Sequence, residues 1–535
     1  MNHRIYLIVA MLLLALSALA QRPDNYPPDD TTVTINETNL PIVWIDVNGA
    51  QIDTKERITA HMKIIHNGDG QLNYGDTVAH PGQHIDYEGY IALRYRGNTS
   101  FSQSDRKPYS FRTLNAPLEV DTCKKEKVKI LGMGKDNNWA LLAPYSDKSM
   151  IRDVLTFDLA RPWMDYTPDT RFCEVFLDGI YYGIYVMTEV VSKGKHRLDL
   201  PDPGEEGDEL TGGYLMEVDR TDEPYMTSNY HPVNSAGQAY NDRYCYYQYK
   251  SPDYEDMTQT QIDYITQRVN DMEAAMASKQ YRDPEVGYRK YIDEQSFADY
   301  QLFMELAHNP DAYRLSGKFF KRRDSVDPRF KMVLWDVNLG YGNCAKYLSS
   351  RTDTWMHKCN YLFYNNGDVN LIPFWWYKLN KDTDYTALLK SRWAEFRNNN
   401  LKTERVLATI DSLANVLTAH GAMDRSSQAW PRWGVWVWPI EYVAKSFDAE
   451  IKHLKNWVDA RITWMDKQLG YALPVVIPGD VNGDGAATID DVAALIDYLL
   501  SGNTEINTDG ADCNQDGDIT IDDLAVLIDM LLAGE

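Results

Sequence analysis

The last tenth of the chain contains a repeated pattern that restricts its fold more tightly than any other feature. The segments DVNGDGAATIDDVAALIDYLL, from Asp480, and DCNQDGDITIDDLAVLIDMLL, from Asp512, align over their whole length. Each begins with D-x-N-x-D-G and continues with apolar residues at helical spacing. The pattern predicts two copies of one unit, in which a loop that binds an ion opens a helix.

The residues of the repeat match the requirements of a calcium loop. Such a loop has oxygen ligands at positions 1, 3, 5 and 12 and a glycine at position 6, where the chain turns sharply. With a threonine at position 9, the predicted ligands are Asp480, Asn482, Asp484, Thr488 and Asp491 in the first loop and Asp512, Asn514, Asp516, Thr520 and Asp523 in the second. We expect calcium to neutralise the crowded carboxylates, so that the helices predicted at 492–500 and 524–532 can pack together.

These motifs resemble the dockerin, a duplicated calcium-loop module that binds a cohesin in cellulosomal proteins. The resemblance covers residues 479–535 and implies two bound Ca²⁺ ions. It also implies that loop positions 10 and 11 select the partner, and these are Ile489, Asp490, Ile521 and Asp522. A module that only stabilises the chain is the alternative interpretation.

The same segment concentrates negative charge. Of the 78 acidic residues in the chain, 14 lie between Gly479 and Glu535, and none of the 54 basic residues does. A region of this composition binds cations or remains disordered, and it repels the phosphates of nucleic acids. We therefore expect no nucleic-acid partner. The preceding residues 471–478 contain two prolines and predict a short, stiff linker.

Residues 1–20 have the composition of an export signal. Arg4 precedes an apolar run from Ile5 to Leu16, and the small-residue sequence ALA precedes Gln21. The apolar run is short for a helix that spans a bilayer, and no second run of this kind follows it. We expect a secretory signal peptide, a secreted or cell-surface protein and no retained membrane span.

Length and composition indicate a packed protein of more than one unit. A chain of 535 residues exceeds the roughly 250–300 residues at which single hydrophobic cores stop growing. Its residues are 44% hydrophobic and 12% aromatic, as in packed globular proteins. Six cysteines are too few for a disulfide scaffold, although Cys344 and Cys359 are a candidate pair.

Residues 40–470 predict one large α+β body. Runs of strand-like composition, such as LPIVWIDV and YIALRYRGN, dominate its first half, and Asp178-Gly179 between two apolar runs predicts a hairpin. After a polar, tyrosine-rich stretch that ends near residue 256, helical spacing dominates. Helices are predicted at 258–278, 294–308, 384–397, 402–419 and 440–468. This order predicts a β-rich lobe followed by a helical lobe.

Two aspartates stand where segments of buried character end. Asp311 follows Pro310 after a helical pattern, and Asp336 interrupts the apolar run KMVLWDVNLGYGN, two residues before Asn338. A charge in such surroundings is costly unless it is paired or binds a metal. A helix cap or a turn is the alternative role for each aspartate. The pair favours a site to which distant segments contribute oxygen ligands.

Seven blocks of the body, in order, resemble the CotH kinase-like family, which has an atypical protein-kinase-related fold. They are LRYRGNTS, KPYSFRT, ILGMGKDNNWALLAPYSDKSMIRD, RFCEVFLDGIYYGIYVMTE, GGYLMEVD, NPDAYRLSGKFFKR and LWDVNLGYGN, within residues 40–400. The resemblance implies a two-lobed kinase-like body. The sequence lacks the G-x-G-x-x-G, H-R-D and D-F-G motifs of ordinary protein kinases.

The resemblance implies a catalytic pair of carboxylates. Asp311 matches the carboxylate that accepts the proton of the substrate hydroxyl in a kinase. Asp336 matches the carboxylate that binds Mg²⁺, with Asn338 as a second ligand, and the Mg²⁺ would hold the phosphates of ATP.

The resemblance also implies residues that contact the nucleotide. Phosphate contacts are expected from Arg96, Lys107 and Arg152. Glu189 is expected to orient one of these cations, and Glu217 with Val218 to meet the adenine. A residue that bonds a turn is the alternative for Arg96, and a solvated strand position is the alternative for Lys107.

Three functions are compatible with these features. The first is an exported kinase-like enzyme that transfers phosphate from Mg-ATP to Ser or Thr of a surface protein. The second is a carbohydrate-active or carbohydrate-binding surface protein, because paired carboxylates can serve a glycosidase and the aromatic cluster PFWWYKL at 373–379 can stack on sugars. The third is a catalytically silent scaffold with a kinase-like shape.

Overall fold

The computed structural model of the chain describes residues 26–472, 476–502 and 505–534. The chain divides into two compact units, Met1–Leu469 and Gly470–Glu535. The predicted signal peptide lies outside the described residues, and so do residues 473–475 of the predicted linker.

Seven strands of the first unit close into a barrel. They are β2 (Ile42–Asp46), β3 (Ile58–Ile65), β5 (Ile85–Tyr95), β6 (Tyr109–Leu114), β7 (Asn138–Leu142), β8 (Thr170–Leu177) and β9 (Ile180–Glu189). Their order around the barrel is β2, β3, β5, β6, β7, β9, β8, and neighbours are antiparallel except for the parallel pair of β2 and β8. The short strands β1 (Glu37–Thr38) and β4 (Asn73–Tyr74) pair with each other.

Alternation along the strands gives the barrel two different faces. On β5, Leu93 and Tyr95 are buried in the barrel core, and on β6 Phe111 is buried there too. Successive side chains of a strand point to opposite faces, so the intervening Arg94 and Arg112 lie on the outer face. The hairpin predicted at Asp178-Gly179 is confirmed, because these two residues join β8 to β9.

A second sheet of five antiparallel strands follows the barrel in the chain. Its strands are β10 (Tyr214–Val218), β11 (Tyr225–Thr227), β12 (Tyr246–Ser251), β13 (Gly317–Lys321) and β14 (Phe330–Val333), in the order β11, β12, β10, β13, β14. Strands β11 and β12 were not predicted, because they lie in the tyrosine-rich polar stretch. The strand expected to continue to Asp336 ends at Val333, which pairs with Lys318 near the start of β13.

Helices dominate the rest of the first unit. Those described are α1 (Thr99–Gln103), α2 (Arg152–Ala160), α3 (Gly207–Leu210), α4 (Gln259–Ala277), α5 (Glu294–Ala307), α6 (Asn360–Asn365), α7 (Phe374–Leu379), α8 (Thr383–Asn398), α9 (Thr403–Thr418), α10 (Ala422–Ala429) and α11 (Phe447–Leu469). Four of the five predicted helices are confirmed within two residues. The fifth, predicted from 440, begins at Phe447, because the Ser446 hydroxyl accepts the backbone N–H of Ala449 and caps the helix there.

The first unit is thus mixed α+β, with a β-rich N-terminal region and helices toward its C-terminal end. Within the described ranges, no helix is both long enough and apolar enough to cross a membrane. All six cysteines are free, so the expected bridge between Cys344 and Cys359 is wrong. The Cys344 sulfur instead accepts the backbone N–H of Lys346, and the Cys359 thiol donates to the carbonyl of Trp355.

The second unit is built from the sequence repeat. Its described helices are α12 (Ile489–Ser501), α13 (Thr508–Ala511) and α14 (Ile521–Ala533). A small core that includes Val481, Leu495 and Leu527 joins the two halves. Thr488 caps α12 and Thr520 caps α14, each in a reciprocal pair of hydrogen bonds with the aspartate three residues later.

Candidate phosphotransfer site and calcium loops

The first unit contains a cavity of about 1420 Å³. Its wall combines the outer face of the barrel, the first turn of α2, the five-stranded sheet and the loops that follow α5 and β14. Five of the residues predicted for the body's site line it, namely Arg96, Glu217, Asp311, Asp336 and Asn338.

Asp336 is held in a conformation that its neighbours impose. Its φ is 57°, in the left-handed region that residues other than glycine rarely adopt. The side-chain amide of Asn338 donates to Asp336 Oδ1 at 2.6 Å, and the Ser316 hydroxyl donates to Oδ2 at 3.4 Å. The carboxylate and the amide therefore act as one polar group at the cavity wall.

Asn309 connects the two aspartates that were predicted to work together. Its Oδ1 accepts the backbone N–H of Asp311 at 3.2 Å, and its Nδ2 donates to the backbone carbonyl of Asp336 at 2.9 Å. The residue is 1% exposed. Asn309 therefore fixes the two loops relative to each other, a role that the sequence did not reveal because HNPD reads as an ordinary turn.

Asp153, in the first turn of α2, is a third carboxylate at this place. Its Oδ1 accepts the backbone N–H of Val337 at 2.6 Å. The peptide group between Asp336 and Val337 is therefore held on one side by Asp153 and on the other by Asn309. Burial raises the pKa of Asp153 to about 7, with a further contribution from the Asp336 carboxylate.

The charges around Asp336 suit a bound cation. Desolvation at the cavity wall raises the pKa of Asp336, and the Asp311 carboxylate adds to this rise. The Arg96 guanidinium opposes it. In the described part of the chain, no three acidic, histidine or cysteine side chains approach closely enough to form a metal site by themselves. Mg²⁺ is usually held by one or two carboxylates together with water and substrate phosphates, so Asp336 and Asn338 fit this ion.

Asp311 and Arg96 each have a fixed orientation. Asp311 Oδ1 accepts a hydrogen bond of 2.8 Å from Arg314, which also contacts Asp368 at 3.0 Å. The Arg96 guanidinium lies over the ring of Trp335, 5.1 Å from its centroid, and its Nη1 is buried without a hydrogen-bond partner. An anionic oxygen in the cavity would supply that partner.

Glu217 forms an ion pair that the sequence did not predict. Lys318 lies opposite it in the pairing of β10 with β13, and the Lys318 Nζ is 2.5 Å from Glu217 Oε1. Lys250 approaches Glu217 at 3.5 Å. Burial opposes ionisation of Glu217, but the two ammonium groups outweigh it and lower its pKa. Both lysines line the same cavity as Asp336.

Four predicted nucleotide contacts do not line the cavity. Lys107 is buried, and its Nζ donates to the carbonyl of Phe101 at 2.6 Å. Arg152 is buried between Asp147 and Glu450, with the Glu450 oxygen 3.0 Å away.

Glu189 and Val218 are the other two predicted nucleotide contacts that do not line the cavity. Glu189 binds Arg197 and accepts a hydrogen bond of 3.0 Å from the Tyr166 hydroxyl. Val218 is 3% exposed and pairs with Gly317 in the five-stranded sheet. The structure therefore gives all four residues contacts within the protein.

The aromatic cluster at 373–379 forms part of the core. Trp375 and Trp376 are each 1% exposed, and the Trp375 indole donates to Glu273 at 2.8 Å. Rings that are packed inside the protein have no face available to a sugar. This cluster therefore gives no support to carbohydrate stacking.

The two predicted calcium loops adopt the same conformation. In the first, Asp480 accepts the N–H groups of Asp484 and Gly485, both at 3.0 Å, and Gly485 has a φ of 94°. In the second, Asp512 accepts the equivalent bonds at 3.1 and 3.0 Å. The glycine at position 6 turns each chain back toward its first aspartate, as a calcium loop requires.

The last aspartate of each loop is buried. Asp491 and Asp523 are each 0% exposed, and Asp491 accepts the N–H groups of Val481, Asn482 and Thr488 at 2.7 to 2.9 Å. Burial opposes ionisation of Asp491, but these donors outweigh it and lower its pKa. The carboxylate at position 12 is therefore held ionised for a cation.

Residues at the predicted partner positions are exposed in both halves. Ile489 is 73% exposed and Ile521 is 71% exposed, although both are apolar. Asp490 and Asp522 beside them are exposed as well. Solvent-exposed apolar side chains at matching positions give each half a similar potential contact surface.

Comparison with known families assigns both units. A family model described as CotH kinase protein matches residues 93–465, well over half of the chain. The chain therefore belongs to the CotH kinase protein family. A model of the Dockerin type I domain matches residues 478–532. Dockerin type I domains bind calcium and cohesins, in agreement with the loops described above. No curated protein matches the chain.

Proposed function

We propose that this protein is a kinase-like phosphotransferase that transfers phosphate from Mg-ATP to Ser or Thr of a surface protein. The observation that carries the proposal is the convergence of Asp311 and Asp336 on one cavity, with Asn309 bonded to both loops. Membership of the CotH family supports it. We assign the barrel and the five-stranded sheet to the first lobe of a two-lobed body and the helices to the second.

Each group at the cavity has an assigned task. Asp336 and Asn338 hold Mg²⁺, which neutralises the phosphates and orients them. Asp311 uses Oδ1 to accept the bond from Arg314, so we assign Oδ2 to the proton of the acceptor hydroxyl. Arg96 binds phosphate through its unpartnered Nη1.

Lys318 and Glu217 complete the assignment. Lys318 supplies a second positive charge to the phosphates, and Glu217 keeps it in place. We retain Glu217 as an adenine neighbour because it lines the cavity. Lys107, Arg152, Glu189 and Val218 are reassigned to structural roles because their contacts lie within the protein.

The dockerin supports a location outside the cytoplasm. Proteins that carry dockerins are typically extracellular or attached to the cell surface, and the composition of residues 1–20 favours export. We assign Ile489, Asp490, Ile521 and Asp522 to the surface that meets a cohesin-type partner. The Ca²⁺ ions of the dockerin would serve attachment to that partner and take no part in the phosphotransfer.

Two measurements on the full chain test this function. At constant calcium concentration, we expect ATP with Mg²⁺, but not ATP without Mg²⁺, to raise the melting temperature of the parent, and we expect Asp336→Asn to remove that rise. Transfer of labelled phosphate to a mixture of surface proteins should fall by about 10²–10⁴-fold in Asp311→Asn, as for loss of a general base.

Asp459→Asn is the matched control, since Asp459 is exposed and does not line the cavity. Unchanged transfer in both site variants would refute the assignment. Absence of any Mg-ATP effect on the parent would favour the silent scaffold.

A further inference from the structure

The outer face of the barrel carries a cluster of basic side chains along the cavity wall. We call this cluster the basic strip, and its members, all lining the cavity, are Lys55, Arg57, Arg94, Arg112, Lys125 and Lys127. The chain as a whole has a net charge of −24. A local group of cations in so acidic a protein favours an anionic ligand.

The strip is built on three adjacent strands. Arg57 immediately precedes β3, Arg94 lies on β5 and Arg112 on β6, and neighbouring strands are about 4.8 Å apart. The Arg57 guanidinium donates to the carbonyls of Ala92 and Ser110 at 2.9 and 3.0 Å. These bonds fix its position, so little conformational entropy is lost when it binds a ligand.

Lys55 has the Asp53 carboxylate as an electrostatic neighbour, but within the described part of the chain the strip forms no ion pair. Among the residues that the structure describes, none of its six side chains forms an ion pair with an aspartate or glutamate. Burial lowers the pKa of Arg57 to about 9, and the neighbouring cations Arg94 and Arg112 contribute to this shift. Arg94 also has a buried Nε without a hydrogen-bond partner. An anion would relieve this repulsion and complete the hydrogen bonding.

The strip extends beyond the reach of the phosphates at Asp336. Arg94 lies on β5, and Arg96 directly follows the end of that strand, two residues or about 7 Å away. Lys125 is bridged to Leu114, the last residue of β6, and therefore lies farther along the wall. Lys55, Lys125 and Lys127 are exposed and accessible to a macromolecule.

The geometry favours an extended polypeptide as the ligand. Alternate side chains of an extended chain recur about every 7 Å, close to the roughly 7–8 Å expected between Arg94 and Arg112, which are diagonal neighbours on β5 and β6. Elsewhere the cavity wall carries acidic residues, which include Asp202, Asp222, Asp253 and Asp256. These residues would repel an acidic segment and so direct it to the strip.

We propose that the basic strip binds an Asp- and Glu-rich polypeptide segment beside the acceptor Ser or Thr and thereby selects the protein substrate. This inference rests on the proposed function, because the acceptor hydroxyl must reach Asp311. The planar guanidinium groups of Arg57, Arg94 and Arg112 match the geometry of carboxylates. The selected substrates are therefore acidic around the modified residue.

Direct binding tests the strip without relying on catalysis. Three fluorescent peptides share a central serine and differ in flanks of Asp/Glu, Asn/Gln or Lys, and fluorescence anisotropy measures their binding to the full chain without nucleotide. We expect the acidic peptide to bind at least about tenfold more tightly than the neutral one. The double variant Arg94→Gln with Arg112→Gln should remove that preference.

Two controls separate loss of charge from loss of fold. Arg171→Gln removes a positive charge from the same barrel at an exposed position outside the cavity wall, and it should keep the preference. Melting temperatures identify any variant that fails to fold. If the arginine double variant fails to fold, single substitutions at the exposed residues Lys125 and Lys127 are tested in its place. Each should weaken binding of the acidic peptide.

Several outcomes would overturn the inference. Equal binding of acidic and neutral peptides would do so, and so would preferential binding of an anionic polysaccharide such as polygalacturonate. A strip variant that loses the Mg-ATP thermal shift but keeps peptide binding would assign the strip to the nucleotide. Phosphate transfer to acidic and neutral peptides at equal rates would contradict the inference while leaving the proposed function intact. Preferential binding of the acidic peptide without any phosphate transfer would support the inferred binding strip and contradict the proposed function.

Discussion

The calcium loops and the cavity both gather carboxylates and amides around a place for a divalent cation, but they assemble these groups in different ways. In each loop, the first and last aspartates accept backbone N–H groups from the same short segment. In the cavity, Asp153, Asp311 and Asp336 come from three separate segments. Hydrogen bonds from Asn309 to the Asp336 carbonyl and from the Val337 N–H to Asp153 join these segments.

This difference affects the ionisation of the groups. The loop carboxylate of Asp491 has a lowered pKa because N–H donors surround it, whereas desolvation at the cavity wall and neighbouring carboxylates raise the pKa of Asp153 and Asp336. The loops are therefore prepared for a permanent cation. Under the proposed function, the cavity would receive its cation together with a phosphate ligand.

Removal of calcium should give the largest effect and should divide the two regions. We expect EGTA to abolish the hydrogen-exchange protection of α12 and α14, because the crowded loop carboxylates then oppose folding. The barrel strands of the first unit should keep their protection, and they serve as the internal control. Protection of α12 and α14 that survives EGTA would contradict a calcium-dependent fold.

Substitution of Asn309 should give the next largest effect. We expect Asn309→Ala to lower kcat for phosphate transfer roughly 10²-fold, because Asp311 and Asp336 lose their common support, with a smaller change in KM for ATP. Asn360→Ala is the matched control, since Asn360 is also buried and donates to the carbonyls of Val233 and Ile372.

The control should lose stability without a selective loss of kcat. A similar fall in kcat for both variants, in proportion to the fraction unfolded, would show that Asn309 has only a structural role.

The same difference explains what could be predicted from sequence. The calcium loops were identified residue by residue because their ligands lie within twelve positions of one another. Flanking segments and a family resemblance predict Asp311 and Asp336 as site residues, but they predict no site role for Asp153, Asn309 or Lys318. Their importance depends on contacts between distant segments, which periodicity does not record.

The fold was predictable to a similar degree. Helices with clear apolar spacing, such as α4 and α5, were predicted almost to the residue. Closure of the barrel was not, because it requires β2 to pair with β8, far along the chain. The expectation that Lys107 contacts phosphate also depended on contacts between distant segments. The sequence does not show which side of the strand a basic residue beside it faces.

Acidification should have a smaller effect, a loss of unfolding free energy in the first unit that the second unit does not share. His308 is buried, and burial lowers its pKa to about 3, from an unfolded value near 6.5. The unfolded state therefore binds more protons between these values, so the stability of the first unit is full above pH 6.5 and declines as the pH falls toward 3. Urea unfolding should show a loss of roughly 1–2 kcal/mol from this residue between pH 7 and pH 5.

His308→Gln should lack that part of the pH dependence, whereas His196→Gln, at an exposed position, should retain it. The second unit offers a comparison within the molecule, because residues 479–535 contain no histidine. With saturating calcium, its unfolding should not show this histidine contribution. Identical pH profiles for the parent and His308→Gln would refute the assigned role of His308.

The smallest effect should come from the exposed isoleucines of the second unit. Ile489→Ala and Ile521→Ala should each change the free energy of unfolding by less than about 0.5 kcal/mol, because little apolar surface is buried at either position. Leu495→Ala and Leu527→Ala, at fully buried positions, should cost about 2–5 kcal/mol. Thermal unfolding in calcium measures all four. A large loss at only one isoleucine would show that the two halves differ, despite their matching sequences and loops.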